Sequence, residues 1–475
     1  MSIDSTAKTS DYAVEPAGAD ESKRKSSMLS TAWTMAQRWK GRIFYAVLDQ
    51  GFASSANFLL TILCIVWLPL DAFGRYVIVW SISLLIETAQ ASLILDAMPA
   101  IVARYGQRNR RRLDVAGLWV VLLYGGVTSV LLIASVPGFR LWAPEFVLPI
   151  LCLAAANPFQ RLYMYFRRLC YIHDRQDIAA IASFAYSATL LGGACALFLL
   201  GRLSVHAVIL VWGLANGVAV LAIYLKGLTC PGWPVLTHIA WLSRQLWLSG
   251  RWLIGAAMGY WATTWGILPL IAATAGLETA GVVRALQNLF TPIVQFNAAL
   301  NLAILPRVAD KVVTAGRKYA RSFALYSTAL FVALVVIYAG LVMSESKAIL
   351  SLLYRKPEIA AGAHLLWPLG LAMILEAARQ GSSMALLSLN VTRPLFMSRL
   401  VAISIFVAGA LALGRIWPAE GILWAYAMSH AAGTALIMYA AFFRLNAISP
   451  TPPAASRSRE AEAAAPLQPG NSLTR

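Results

Sequence analysis

Three arginines stand in the middle of long apolar stretches of this chain: Arg161, Arg284 and Arg379. A charge held at mid-membrane costs at least ~2.5–3.5 kcal/mol, so such a residue ordinarily faces a partner or a cavity. Arg379 has Glu376 one helical turn before it, and the two can neutralise each other. Arg161 and Arg284 have no acidic residue three or four positions away on either side. A free guanidinium is a planar donor fork that holds phosphate with two parallel hydrogen bonds. A cavity that contains such arginines is built for an anion. Polar residues at helical spacing accompany them: Gln50, Ser54, Asn57 and Thr61; Ser83, Glu87 and Gln90; Arg284, Gln287, Asn288, Thr291 and Gln295; Glu376, Arg379, Gln380 and Ser383. Stripes of this kind also join helices through hydrogen bonds, and for the Ser, Thr and Asn positions that role weighs equally with ligand binding. Glu87 is the foremost candidate for an ion-coupling acid, followed by Asp49 and Glu376, and a structural role is the alternative for each.

Catalytic signatures are missing. The sequence has no GxxxxGK[ST] loop for a nucleotide and no GxSxG elbow for a nucleophile,. His173, His206, His238, His364 and His430 are scattered singly, and the five cysteines form no CxxC or Cys/His cluster. The expectation is a protein without metal site or cofactor, and not an enzyme.

The elements that position these residues follow from hydropathy. Of 475 residues, 59% are hydrophobic and 13% charged, about half the charge of a soluble domain. Apolar runs of roughly 20 residues, enough to cross a bilayer, lie at 44–68, 74–98, 115–136, 146–167, 178–200 and 205–225. Six more lie at 251–272, 279–305, 323–343, 361–388, 397–416 and 421–443. The fold class is therefore an all-α polytopic membrane protein of about 12 transmembrane helices. Alternate loops, including both tails, carry 29 of the 39 Lys and Arg, and the opposite loops carry seven. By the positive-inside rule both tails are cytoplasmic. The basic loops, such as 104–113, account for the net charge of +18 through topology and anionic lipid,, so no nucleic-acid partner is expected. Residues 1–27 read as a disordered tail and 28–43 as a short interfacial helix. Residues 226–250 read as a cytoplasmic linker, and 444–475 as a second disordered tail.

The chain also repeats itself. An offset of 207 pairs Gly74 with Gly281, Ala91 with Ala298 and Pro99 with Pro306. An offset of 218 pairs Arg161 with Arg379 and Arg175 with Arg393. Six spans per copy give two parallel six-helix lobes, 44–225 and 251–443, with a substrate site between them and alternating access as the mode of action.

Three runs carry a family resemblance. LDQGFASSANFLLTILCIVWLPLDAFGRYVIVWSI (48–82) resembles the opening of bacterial polysaccharide flippases of the multidrug/oligosaccharidyl-lipid/polysaccharide exporter superfamily. GRWLIGAAMGYWATTWGILPLIAATAGLETAGVVRALQNLFTPIVQFNAALNLAILPRVA (250–309) looks like the start of their second half, with its RALQN and LPRVA elements. FQRLYMYFRRLCYIHDRQD (159–177) is similar to their basic loop after the fourth helix. The resemblance implies lobes that form a V-shaped central cavity. It also implies transfer of an undecaprenyl-diphosphate-linked oligosaccharide from the cytoplasmic to the periplasmic leaflet of the bacterial inner membrane, for exopolysaccharide or O-antigen-type biosynthesis. Membrane lipids, a polysaccharide polymerase and chain-length or export machinery would be its partners. Matching stretches carry over Asp49, Gln50, Ser54 and Asn57, then Arg161, then Arg284, Gln287 and Asn288; Arg379 rests on the internal repeat. The chain departs from the pattern at YRKPEI (354–359), where a Tyr-Gly turn would be expected. A cation-coupled multidrug antiporter of the same superfamily is the alternative, and a cavity dominated by acids would favour it. A membrane glycosyltransferase or polymerase would need sizeable outward loops, which the chain lacks. A purely structural scaffold would leave the buried arginines without a purpose.

Overall fold

The computed structural model describes residues 17–228, 232–233, 235–389, 391 and 393–444. Among them all regular structure is helical, as lipid demands of a chain that must satisfy its backbone internally. The helices are α1 (Ala17–Trp67), α2 (Leu70–Gln90), α3 (Met98–Trp142), α4 (Val147–Ile172), α5 (Gln176–Leu199), α6 (Val205–Leu225), α7 (Leu236–Thr264) and α8 (Ile267–Ala275). They continue with α9 (Leu277–Leu289), α10 (Thr291–Ser344), α11 (Ser346–Tyr354), α12 (Pro357–Ala361), α13 (Leu366–Ser388), α14 (Arg393–Leu413) and α15 (Glu420–Tyr439).

Nine described stretches are long and apolar enough to cross a membrane. They coincide with nine of the twelve expected spans. The other three are helical as well, but each departs from a simple apolar rod for a visible reason. α4 carries Arg161, Arg167 and Arg168. The seventh span is divided between α7 and α8 at Trp265–Gly266. The eighth is divided at Phe290, two residues before Pro292 in the first turn of α10, where proline's missing N–H is tolerated.

Two lobes result. In the first, α1 packs on α5, α3 on α4, and α6 on both α4 and α5; in the second, α10 packs on α13, and α15 on α13 and α14. The lobes meet where α2 crosses α9 and again along α7, which packs on α2 and α3 and donates the Trp261 indole N–H to the Ser81 carbonyl at 2.9 Å. A Cβ at Gly74 would stand 2.1 Å from the Leu277 carbonyl oxygen, and one at Gly281 would stand 3.2 Å from that of Leu70. Leu70 and Leu277 are themselves 207 residues apart, so these are reciprocal contacts of the sequence repeat. At Gly74 the backbones approach too closely for any side chain, and at Gly281 a Cβ would be a tight contact,. Beside this crossing the Lys356 ammonium donates to the Leu68 carbonyl, joining the second lobe to the end of the first. Burial pulls that ammonium below the ordinary lysine range, while Glu358 and Asp71 pull it back up.

Several expected loops are helical instead. The segment expected to be disordered up to residue 27 is helical from Ala17, and α1 continues unbroken through the expected interfacial helix into the first span. The basic segments 99–114 and 306–322 belong to α3 and α10, because arginine and lysine are good helix formers. The basic segment after the fourth span is helical up to Ile172 and turns at Asp174, whose φ is 58°. Helix α7 begins at Leu236, well inside the expected linker 226–250. The tails expected at 1–16 and 445–475 lie outside the described residues. At 354–359 the turn forms without its glycine: Arg355 takes the left-handed conformation, with φ 52°. Tyr354 beside it is buried and donates its hydroxyl to the Ala285 carbonyl at 2.9 Å.

Candidate functional site

Beyond the α2–α9 crossing the lobes part around a cavity of about 390 Å³, within the range of small-molecule sites. Both lobes line it. From the first come Gln50, Ser54, Asn57, Glu87, Gln160, Arg167 and Asn216; from the second come Arg284, Gln287, Asn288, Glu376 and His430. Trp80, Trp212, Tyr163 and Tyr186 supply aromatic surface on one side, and Tyr260, Trp265 and Tyr426 supply it on the other.

The first-lobe wall is held by clusters of side-chain hydrogen bonds. Asp49, 0% exposed, accepts Arg167 Nε on both carboxylate oxygens at 3.0 Å. It also accepts the Tyr171 hydroxyl at 2.6 Å and the Ser183 hydroxyl. Arg167 continues to Gln50 Oε1 at 2.9 Å, and Gln50 donates to the Ser54 hydroxyl at 2.9 Å. Asn57 accepts the Tyr186 hydroxyl at 2.8 Å. Glu87 accepts Gln160 Nε2 at 2.6 Å. Arg161 lies behind this wall, 0% exposed, and donates to Gln90 Oε1 at 3.1 Å and to Gln160 Oε1.

The second-lobe wall has a different character. Glu376 receives Arg379 on both oxygens, the Nε bond being 2.8 Å. Arg399 stands 3.6 Å from it, and His430 Nδ1 is 3.1 Å away. Arg399 also lies over the Tyr260 ring at 4.8 Å. Arg284 is unlike the rest. Its guanidinium lies 4.7 Å from the centre of the Trp265 ring, and among the described residues no carboxylate comes within ion-pair distance. The aromatic face offsets part of the desolvation, by about 0.5–2 kcal/mol. That leaves the donor edge of the guanidinium for a ligand.

No family model matches the chain, and no curated protein matches it in sequence. Solved structures do match in shape. One is titled as the inward-facing conformation of a multidrug resistance MATE family transporter of the MOP superfamily. Its TM-score is 0.71 at 12% identity, over 85% of this chain and 98% of that one. The MATE multidrug transporter DinF-BH gives 0.64 at 15% identity, over 86% and 96%. The lipid II flippase MurJ, in an inward closed conformation, gives 0.63 at 8% identity, over 85% and 90%. The chain has the fold of the MOP-superfamily transporters.

Within this MOP fold the expected site residues separate into two groups. Gln50, Ser54, Asn57, Glu87, Arg284, Gln287, Asn288 and Glu376 share the cavity wall. Asp49, Arg161 and Arg379 are absent from that wall and instead brace residues that line it. Two arginines emerge only from the structure. Arg167 reads as part of a basic loop, yet Gln160, Tyr163, Met164 and Arg167 recur at helical spacing, a signal that the adjacent Arg168 obscures. Arg399 sits at the start of a span with no acid near it in sequence, and only the packing of α13 against α15 and α14 against α15 brings it to Glu376.

Proposed function

We propose that this protein is a membrane transporter that flips a polyprenyl-diphosphate-linked oligosaccharide between leaflets by alternating access. In this reading it serves exopolysaccharide or O-antigen-type synthesis, in the bacterial inner membrane with both tails inside. The observation that carries the reading is Arg284: a cavity-facing cation with an aromatic back and no acidic partner among the described residues, suited to a diphosphate. A drug cation would be repelled there, whereas Glu376, the wall acid on the same lobe that could attract one, is already engaged by two arginines and His430. Arg161 and Arg379 act through the side chains they hold. The amides, hydroxyls and aromatic faces of both walls would meet the sugars, and the polyprenyl chain would remain in lipid between the lobes. Glu87 is the candidate for coupling to an ion, and a polymerase with chain-length or export machinery would receive the product.

The test is genetic and chemical. Deletion should strand lipid-linked repeat units on the cytoplasmic face, and Arg284→Ala should reproduce that defect while the protein still inserts. Normal polysaccharide export by Arg284→Ala would refute the anion cavity.

A further inference from the structure

The two walls differ in a way that restricts the glycan itself, given the flippase reading on which this inference rests. Under the 207-residue repeat, Arg284 on α9 corresponds to Val77 on α2. Glu87 lies ten residues further along, which at 1.5 Å per residue is about 15 Å farther from the closed crossing. The polar stripe of α1 runs in the same direction. Thr61 is seven residues from Leu68 beside that crossing and Gln50 is eighteen, a span of about 16 Å between them. A diphosphate held at Arg284 therefore sits near the α2–α9 crossing, and the sugars attached to it extend away from that crossing along the first-lobe wall.

That wall has no cation to spare. Arg167, its one described cation facing the cavity, is gripped by both oxygens of Asp49 and by Gln50. Arg161 is fully buried behind Gln90 and Gln160. What remains on offer are amides, hydroxyls, the Trp80 and Trp212 rings and the Glu87 carboxyl. These groups bind sugar hydroxyls and ring faces. They give a carboxylate or phosphate no cation to pair with, and a charge left without a counter-ion beside Glu87 in a partly desolvated wall is disfavoured.

We infer that the transported glycan is electrically neutral over the sugars that follow the diphosphate, and that Glu87 is a specificity residue that rejects acidic sugars there. The experiment uses the full chain in lipid nanodiscs with three probes. These are a polyprenyl diphosphate bearing a neutral hexose trisaccharide, the same lipid with a uronic acid as its second sugar, and the polyprenyl diphosphate alone. The neutral trisaccharide lipid should bind most tightly and the uronate lipid at least about tenfold more weakly, with Glu87→Gln narrowing the difference. Equal or tighter binding of the uronate lipid overturns the inference while leaving the flippase reading intact. A difference that Glu87→Gln leaves unchanged overturns the role of Glu87. Failure of all three lipids to bind overturns the flippase reading and this inference with it.

Discussion

Asp49 provides the sharpest division between scaffold and machinery. It is wholly buried and receives three side chains from two other helices: Arg167 and Tyr171 of α4 and Ser183 of α5. Asp49→Asn keeps the shape but leaves the Arg167 guanidinium, largely inside the lobe, with Gln50 as its main partner. Removing one partner of a buried ion pair typically costs about 3–5 kcal/mol, because the remaining charge stays desolvated and unpaired. The double variant Asp49→Asn with Arg167→Gln removes both charges and should regain at least about half of that loss, since contacting residues couple strongly. Thermal unfolding of the purified protein in detergent measures all three variants in one series. A large drop for the single variant and partial recovery in the double variant support a bracing role. A single variant as stable as the parent but without export would refute that reasoning and make Asp49 an ion-coupling acid.

Other outcomes follow from the same geometry. Gly74→Val should prevent α2 and α9 from closing, because its Cβ would meet the Leu277 carbonyl at 2.1 Å; cysteines placed at cavity positions should then react faster with an impermeant reagent added from the outer face. Arg355→Gly should raise stability by about 1 kcal/mol, because Arg355 holds a left-handed conformation that disfavours any residue with a Cβ,. Glu376→Gln should destabilise the second lobe by about 3–5 kcal/mol, by leaving Arg379 and Arg399 without their carboxylate; an unaltered melting temperature would contradict this. Reporter fusions at Asn109 and Lys356 should read cytoplasm and periplasm respectively, and the same signal from both would overturn the orientation.

The helical repeat and most of the cavity could be read from the residues alone, because both depend on local rules. Periodicity puts Gln50, Ser54 and Asn57 on one face of α1, and the repeat of Gly74 and Gly281 marks the crossing that closes the cavity. What local rules do not carry is which side of a wall an arginine ends on. Arg161 and Arg284 are indistinguishable in sequence, since both lack a nearby acid. Their fates diverge because Gln90 and Gln160 reach Arg161 from α2 and α4, whereas Arg284 stacks on the Trp265 ring. Arg399 is hidden for the related reason that its partner is Glu376, 23 positions away on another helix. The basic segments 99–114 and 306–322 read as loops because charge marks the membrane boundary, but charge does not end a helix.

Arg284 as the cation that receives a diphosphate is the central claim. The direct measurement is binding of a polyprenyl diphosphate to the full chain in nanodiscs, compared between the parent and Arg284→Gln, with the melting temperature of both recorded. The expected result is saturable binding by the parent and at least about a tenfold loss in a variant that melts as the parent does, equivalent to losing one charge-assisted contact. Equal affinity of the two proteins would contradict it.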